Sequence, residues 1–129
     1  MDVLRPAVIL LVEDDSSLRS MVATCLRQSG HSVLVASTPQ DAISLAIEHA
    51  QDLDLLLTDV IMPHMNGKEL SLRVTEHAPR ARVLFMSGYT EDAIVHRGVL
   101  DRDVNFLAKP FAPERLAEAV EAALRDDEQ

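Results

Sequence analysis

Five positions in the chain could do one kind of chemistry together. Glu13 and Asp14 follow the apolar run AVILLV, and Asp59 follows LLLT. Ser87 closes ARVLFMS, and Lys109 follows VNFLA and precedes Pro110. Each stands where an apolar run gives way to loop-forming residues. Three carboxylates in one place repel one another, so that one would take up a proton. A hard divalent cation removes that penalty: Mg²⁺ prefers oxygen ligands, keeps several waters and is often shared with a phosphate. An aspartate beside it can attack phosphorus as a nucleophile and become an acyl phosphate. The charge that arrives then calls for a cation and a hydrogen-bond donor, which Lys109 and Ser87 supply.

These side chains can meet only if the apolar runs lie side by side. Residues 7–12, 31–36, 54–58, 81–87 and 104–108 are short, apolar and partly β-branched, as strands buried on both faces are. Helical spacing fills the intervals between them. Leu18, Met21, Val22, Cys25 and Leu26 form one stripe, which Gly30 ends. Asp15 and Ser16 are placed to cap that helix. Thr38 and Pro39 open a second helix with Ala42, Ile43, Ala46 and Ile47 inward. A third helix runs from Gly67 to His77, with Pro79 beyond it. The segment TEDAIVHRGVL makes a short helix broken at Gly98. The last helix, APERLAEAVEAALR, puts Leu116, Val120, Ala123 and Leu124 on one face. Five strands alternating with five helices predict an α/β fold with an open, mainly parallel, doubly wound sheet. In such sheets function gathers at the carboxyl ends of the strands, where all five polar residues lie.

Composition closes off other functions. The 129 residues suit a single domain, with a core at about 7–125 and a solvated end at 126–129. Aromatic residues are 3% of the chain, so aliphatic side chains and Met must build the core, with Met62 and Met65 packing beside the Asp59 loop. A net charge of -9 argues against gripping nucleic acid or an anionic membrane surface. No apolar stretch approaches the roughly 18 residues of a membrane span, and the acids at 13–15 rule out a signal peptide there. A cytoplasmic location is expected, and the lone Cys25 reads as a buried structural thiol in a reducing compartment. His31, His49, His64, His77 and His96 show no metal-ligand spacing and read as surface or loop residues.

LLVEDD, TDVIMPHMNG, MSGYT and AKPF, in this order, resemble the signatures of the response-regulator receiver domain, over roughly residues 7–125. The SGYT segment and AIVHRGVL…FLAKPFAPERL look most like receivers attached to hybrid sensor histidine kinases. The resemblance implies a flavodoxin-like strand order of 2-1-3-4-5. It also implies Mg²⁺-dependent transfer of a phosphoryl group from a phosphohistidine, on a histidine kinase or a histidine phosphotransfer protein, to Asp59. Such a domain promotes its own phosphorylation and dephosphorylation, switches conformation, and is a monomer or weak dimer.

By the same resemblance Asp14 and Asp59 are metal ligands, Glu13 acts mostly through water, and Ile61 gives its backbone carbonyl. Ser87 and Lys109 hold the phosphoryl group, the Lys109–Pro110 bond is cis, and Phe106 takes the switch-aromatic position. Ile61 and Tyr89 lie at the mouth of the site and tune hydrolysis. The chain departs from the family's commonest pattern in having Glu-Asp for the acidic pair, Ser for Thr at 87, and Phe for Tyr at 106, which leaves any switch there to packing alone. Two rivals fit less well. A docking module without chemistry would be free to lose the acidic pair, Asp59 or Lys109. A hydrolase with an aspartyl nucleophile would want an acid two residues on, where Ile61 stands.

Overall fold

The apolar runs become five parallel strands: β1 (Val8–Val12), β2 (Ser32–Ala36), β3 (Leu55–Asp59), β4 (Arg82–Ser87) and β5 (Asn105–Ala108). They alternate with α1 (Ser16–Gln28), α2 (Pro39–Glu48), α3 (Gly67–His77), α4 (Glu91–His96) and α5 (Pro113–Leu124). The computed structural model describes residues 6–98, 100 and 104–125. Val99 of the segment read as a fourth helix, and the solvated end at 126–129, lie outside them. The sheet order is β2-β1-β3-β4-β5, as the resemblance implied. The order reverses at β1, so β1 and β3 lie side by side and their carboxyl ends form the crevice of a doubly wound sheet.

Alternation along the strands divides the core. Ile9, Leu11, Leu55 and Leu57 face one side, against Val22, Ala23 and Leu26 of α1 and Leu116, Ala119, Val120 and Ala123 of α5. Leu10, Val12 and Leu56 face the other, against Ala42 and Ala46 of α2 and Leu70 and Val74 of α3. β1 is therefore apolar throughout, and β3 is apolar through Leu57, because both faces are covered. Truncating Leu57 to Ala would cost about 2–5 kcal/mol. A third, smaller cluster holds Val60, Phe85, Ile94 and Leu100, with Phe106 half-buried against it.

Capping sets where the loops end. The Asp15 carboxylate, two residues after Glu13, accepts from the N–H groups of Ser17 and Leu18 at 3.0 and 3.1 Å and caps the start of α1. Thr38 caps α2 ahead of Pro39. Asn66 accepts from the Glu69 N–H at 2.8 Å, and Glu69 reaches back to the Asn66 N–H, a capping box that ends the loop after Asp59. Gly98, at φ 77, follows the short α4.

Several sequence expectations need correction. Ser16 is the first helical residue of α1, and the capping falls to Asp15 alone. Met21 is 40% exposed and Ile47 54% exposed, because the buried stripes centre on Val22, Ala23 and Leu26 in α1 and on Ala42 and Ala46 in α2. Cys25 is only half-buried, at the edge of the first stripe. His31 is buried: its Nδ1 accepts from the Ala7 N–H at 3.0 Å, giving a partner to a backbone group at the start of β1. Beside it Asp54 accepts from the Val8 N–H at 2.8 Å and pairs with Arg80 at 2.5 Å, tying the amino ends of the strands together.

Candidate functional site

The four strand ends bring the chemistry-bearing residues into one cleft of about 480 Å³, lined by Glu13, Asp14, Asp59, Ser87 and Lys109 among others. Glu13 and Asp59 are buried, at 1% and 5% exposure, while Asp14 is exposed. Carboxylate oxygens of the three lie within 4.8 Å of one another. Lys109 Nζ lies 2.5 Å from Asp59 Oδ1 and 3.0 Å from Glu13 Oε1, so one cation bridges two buried acids. The second Glu13 oxygen accepts from the Asp15 N–H at 3.0 Å.

The electrostatics follow from burial. Desolvation pushes the Asp59 carboxyl up, the nearby Lys109 pulls it down, and its hydrogen bond to Glu13 and the Glu13 charge push it up again, to about 7. Burial also acts to raise Glu13, but hydrogen bonds from Asp59, the Asp15 N–H and Lys109 outweigh it and hold Glu13 below 4.5. Below about pH 7 a proton is therefore held by Asp59 in preference to Glu13. Desolvation acts to lower Lys109, yet its two acid partners raise it above 10.5 and it stays charged.

Ser87 is buried, and its Oγ accepts from the Tyr89 N–H at 3.0 Å. That leaves the hydroxyl hydrogen to donate elsewhere. Ser87 and Lys109 are also tied through their backbones, the Lys109 N–H donating to the Ser87 carbonyl at 2.9 Å. The Lys109–Pro110 bond is cis, as expected. Ile61 and Tyr89 line the cleft with side chains 53% and 56% exposed. Phe106 is not in the cleft; it pairs with Phe85 across β4 and β5 and packs behind it.

The residues fit a divalent cation. Three acids face one lysine, so the cluster carries excess negative charge even with a proton on Asp59. Asp59 Oδ1 is buried and accepts no hydrogen bond of good geometry, its contact with Lys109 being an ion pair. Among the described residues this is the one group of three or more acids, histidines or cysteines close enough to share a metal.

Two residues to which sequence reasoning gave no role of their own support the site. A Cβ on Gly67 would lie 2.3 Å from the Asp59 carbonyl oxygen, so α3 can begin against the Asp59 backbone only with glycine there. Its place at the start of a helix is legible; the contact is not. Arg19, in α1, donates from Nη1 to the Glu13 carbonyl at 2.8 Å. Nothing in an arginine on a helix surface signals that in sequence.

Comparison with known proteins agrees with this geometry. Residues 9–121 match the family model described as the response regulator receiver domain. The chain is 33% identical over 118 residues to the sensor kinase CckA of Brucella abortus (strain 2308), a match covering 92% of this chain and 12% of the kinase. It is 36% identical over 118 residues to the response regulator receiver protein CpdR of the same organism, covering 90% of this chain and 95% of that protein. The crystal structure of the receiver domain from the hybrid histidine kinase CckA superimposes with a TM-score of 0.78 at 37% identity, covering 92% of this chain and 99% of that one.

Proposed function

The chain belongs to the response regulator receiver domain family, and on that premise we propose that Asp59 takes a phosphoryl group from a phosphohistidine. The donor is a histidine kinase or a histidine phosphotransfer protein, the partners with which this family works. The observation that carries the proposal is Lys109 bridging Asp59 and Glu13 at 2.5 and 3.0 Å, beside a third acid and a free cleft.

In the proposed step a carboxylate oxygen of Asp59 attacks phosphorus. The P–N bond of the donor breaks as the P–O bond forms, and its electron pair leaves on the histidine nitrogen. Asp59 must first give up its proton. Mg²⁺, which receiver domains generally bind, would be held by Asp14, Asp59 and the Ile61 carbonyl, with Glu13 through water, and would neutralise the phosphoryl oxygens. Ser87 donates its hydroxyl hydrogen to one of those oxygens and Lys109 pairs with another.

The output follows from the same connections. When Ser87 turns toward the new phosphoryl group, β4 shifts against β5, with which it is paired through Ser87–Ala108 and Phe85–Phe106. Phe106 and Ile94 share the third apolar cluster, so they repack together. Ile61 and Tyr89, at the mouth of the cleft, limit the approach of the water that ends the signal. Among the described residues no helix is long and apolar enough to cross a membrane.

The test uses acetyl phosphate and Mg²⁺ with no kinase present. Intact-mass spectrometry is expected to show one added phosphoryl group that is stable in acid and labile in base, absent after chelation and absent in Asp59→Asn. Equal phosphorylation of the Asp59→Asn protein would remove Asp59 from the role.

A further inference from the structure

We propose that Arg19 is a positioning residue for the acidic pair, holding the peptide plane that joins Glu13 to Asp14. This rests on reading those two residues as the metal-binding acids.

The carbonyl that Arg19 grips belongs to the peptide between the two acids, and Nη1 donates to it at 2.8 Å. In an extended strand, successive side chains point to opposite faces. Glu13 and Asp14 can both serve the cleft only because the chain leaves strand geometry after Val12, where β1 ends. One acid turns inward and is 1% exposed; the next stays exposed at the rim. The rotation of a single peptide plane sets that difference. The Glu13 N–H is bonded to the Ala36 carbonyl at 3.3 Å, and its carboxylate is held by the Asp15 N–H and by Lys109. The remaining polar atom of residue 13, its carbonyl, is the one Arg19 holds. Asp14 follows with its backbone direction set by that grip.

Charge and position predict opposite effects, which makes the idea decidable. Arg19 is a cation near a site for a cation, so removing its charge would by Coulomb's law tighten Mg²⁺ binding. Releasing the peptide would instead weaken it, because ligands oriented by outer partners typically lose about tenfold or more in metal affinity when those partners go. Arg19→Met keeps the apolar stem and removes the guanidinium.

A matched control exists in the same helix. Arg27 donates from Nη2 to the Val33 carbonyl at 3.0 Å, the same arginine-to-carbonyl bond, to a residue of β2 rather than to the acidic pair. Arg27→Met therefore reports what losing such a bond does to the fold.

The experiment is calorimetric Mg²⁺ titration of wild type, Arg19→Met, Arg19→Lys and Arg27→Met, with amide exchange of the Asp15 N–H followed in metal-free protein. Arg19→Met is expected to weaken Mg²⁺ binding about tenfold and to speed Asp15 exchange. Arg19→Lys, which keeps the charge and a single donor nitrogen, is expected to fall between it and wild type, and Arg27→Met to bind as wild type does. Unchanged or tighter Mg²⁺ binding in Arg19→Met, or equal weakening in Arg27→Met, overturns the proposal while leaving the acceptor reading intact. If Arg19→Met does not fold, Arg19→Lys decides: wild-type affinity with wild-type Asp15 exchange overturns the proposal. Wild-type protein that binds no Mg²⁺ overturns both.

Discussion

Asp59→Asn is expected to stabilise the metal-free protein, and to do so more strongly as pH rises. In the folded chain burial and Glu13 raise the Asp59 carboxyl from 3.8 to about 7, against the pull of Lys109. A carboxyl that holds its proton more tightly when folded loses stability as pH rises through the window between those values, and levels off above it. At roughly 1.4 kcal/mol per pH unit the loss reaches about 4 kcal/mol near pH 8 and about 2 kcal/mol near pH 5.5. Asn has the same shape and no charge, and its amide can donate to Glu13 in place of the Asp59 proton. Lys109 keeps Glu13 as partner at 3.0 Å.

Glu13 is lowered and its effect has the opposite sign, gained as pH rises toward 4.5. Comparison above pH 5 therefore isolates Asp59. The assay is urea unfolding in chelator at about pH 5.5 and pH 8. The mutant should exceed wild type by about 1–2 kcal/mol at the lower pH and about 2–4 kcal/mol at the higher, relaxation of the buried site trimming the ceiling. A mutant no more stable at the higher pH, or one with the same gain at both, would refute the account of a buried acid held at the expense of stability for function.

Replacing Ile61 with Asn or Tyr89 with Ala, each more than half exposed beside the cleft, should speed loss of the phosphoryl group, where a tenfold change needs about 1.4 kcal/mol. Phosphate release from purified phosphoprotein in excess Mg²⁺ decides it, and decay at or below the wild-type rate in both variants would sink the shielding idea. Gly67→Ala should cost about 1–3 kcal/mol or more by overpacking, since its Cβ would meet the Asp59 carbonyl at 2.3 Å; wild-type stability by urea unfolding would show that the loop yields freely. The buried His31 should titrate below 6.5 by NMR, because desolvation lowers it against the opposing charge of Asp54, itself paired with Arg80. The unfolded chain then takes the proton first, so this histidine removes stability as pH falls below about 6.5; titration at or above 6.5 would contradict its bond to the Ala7 N–H.

Much of this molecule is legible one residue at a time. The apolar runs of β1 and β3 announce strands covered on both faces, and Asp15 and Thr38-Pro39 announce helix starts, because capping and periodicity are local properties. The motifs placed Asp59, Ser87 and Lys109 at strand ends for the same reason. What packing decided is which residues those ends would meet. Met21 and Ile47 sit on helical stripes in sequence yet face outward, because the width of a buried stripe depends on the neighbouring surface. His31 is inside because a backbone N–H 24 residues away needed an acceptor. Gly67 is glycine because the Asp59 carbonyl comes within 2.3 Å of where its Cβ would be. The proton on Asp59, the lysine bridging it to Glu13 across 96 residues of chain, and the arginine behind the acidic pair arise only when separate strand ends share one buried volume. Burial, and with it the strength of charge interactions, is a property of the assembled sheet and its helices, and no single segment carries it.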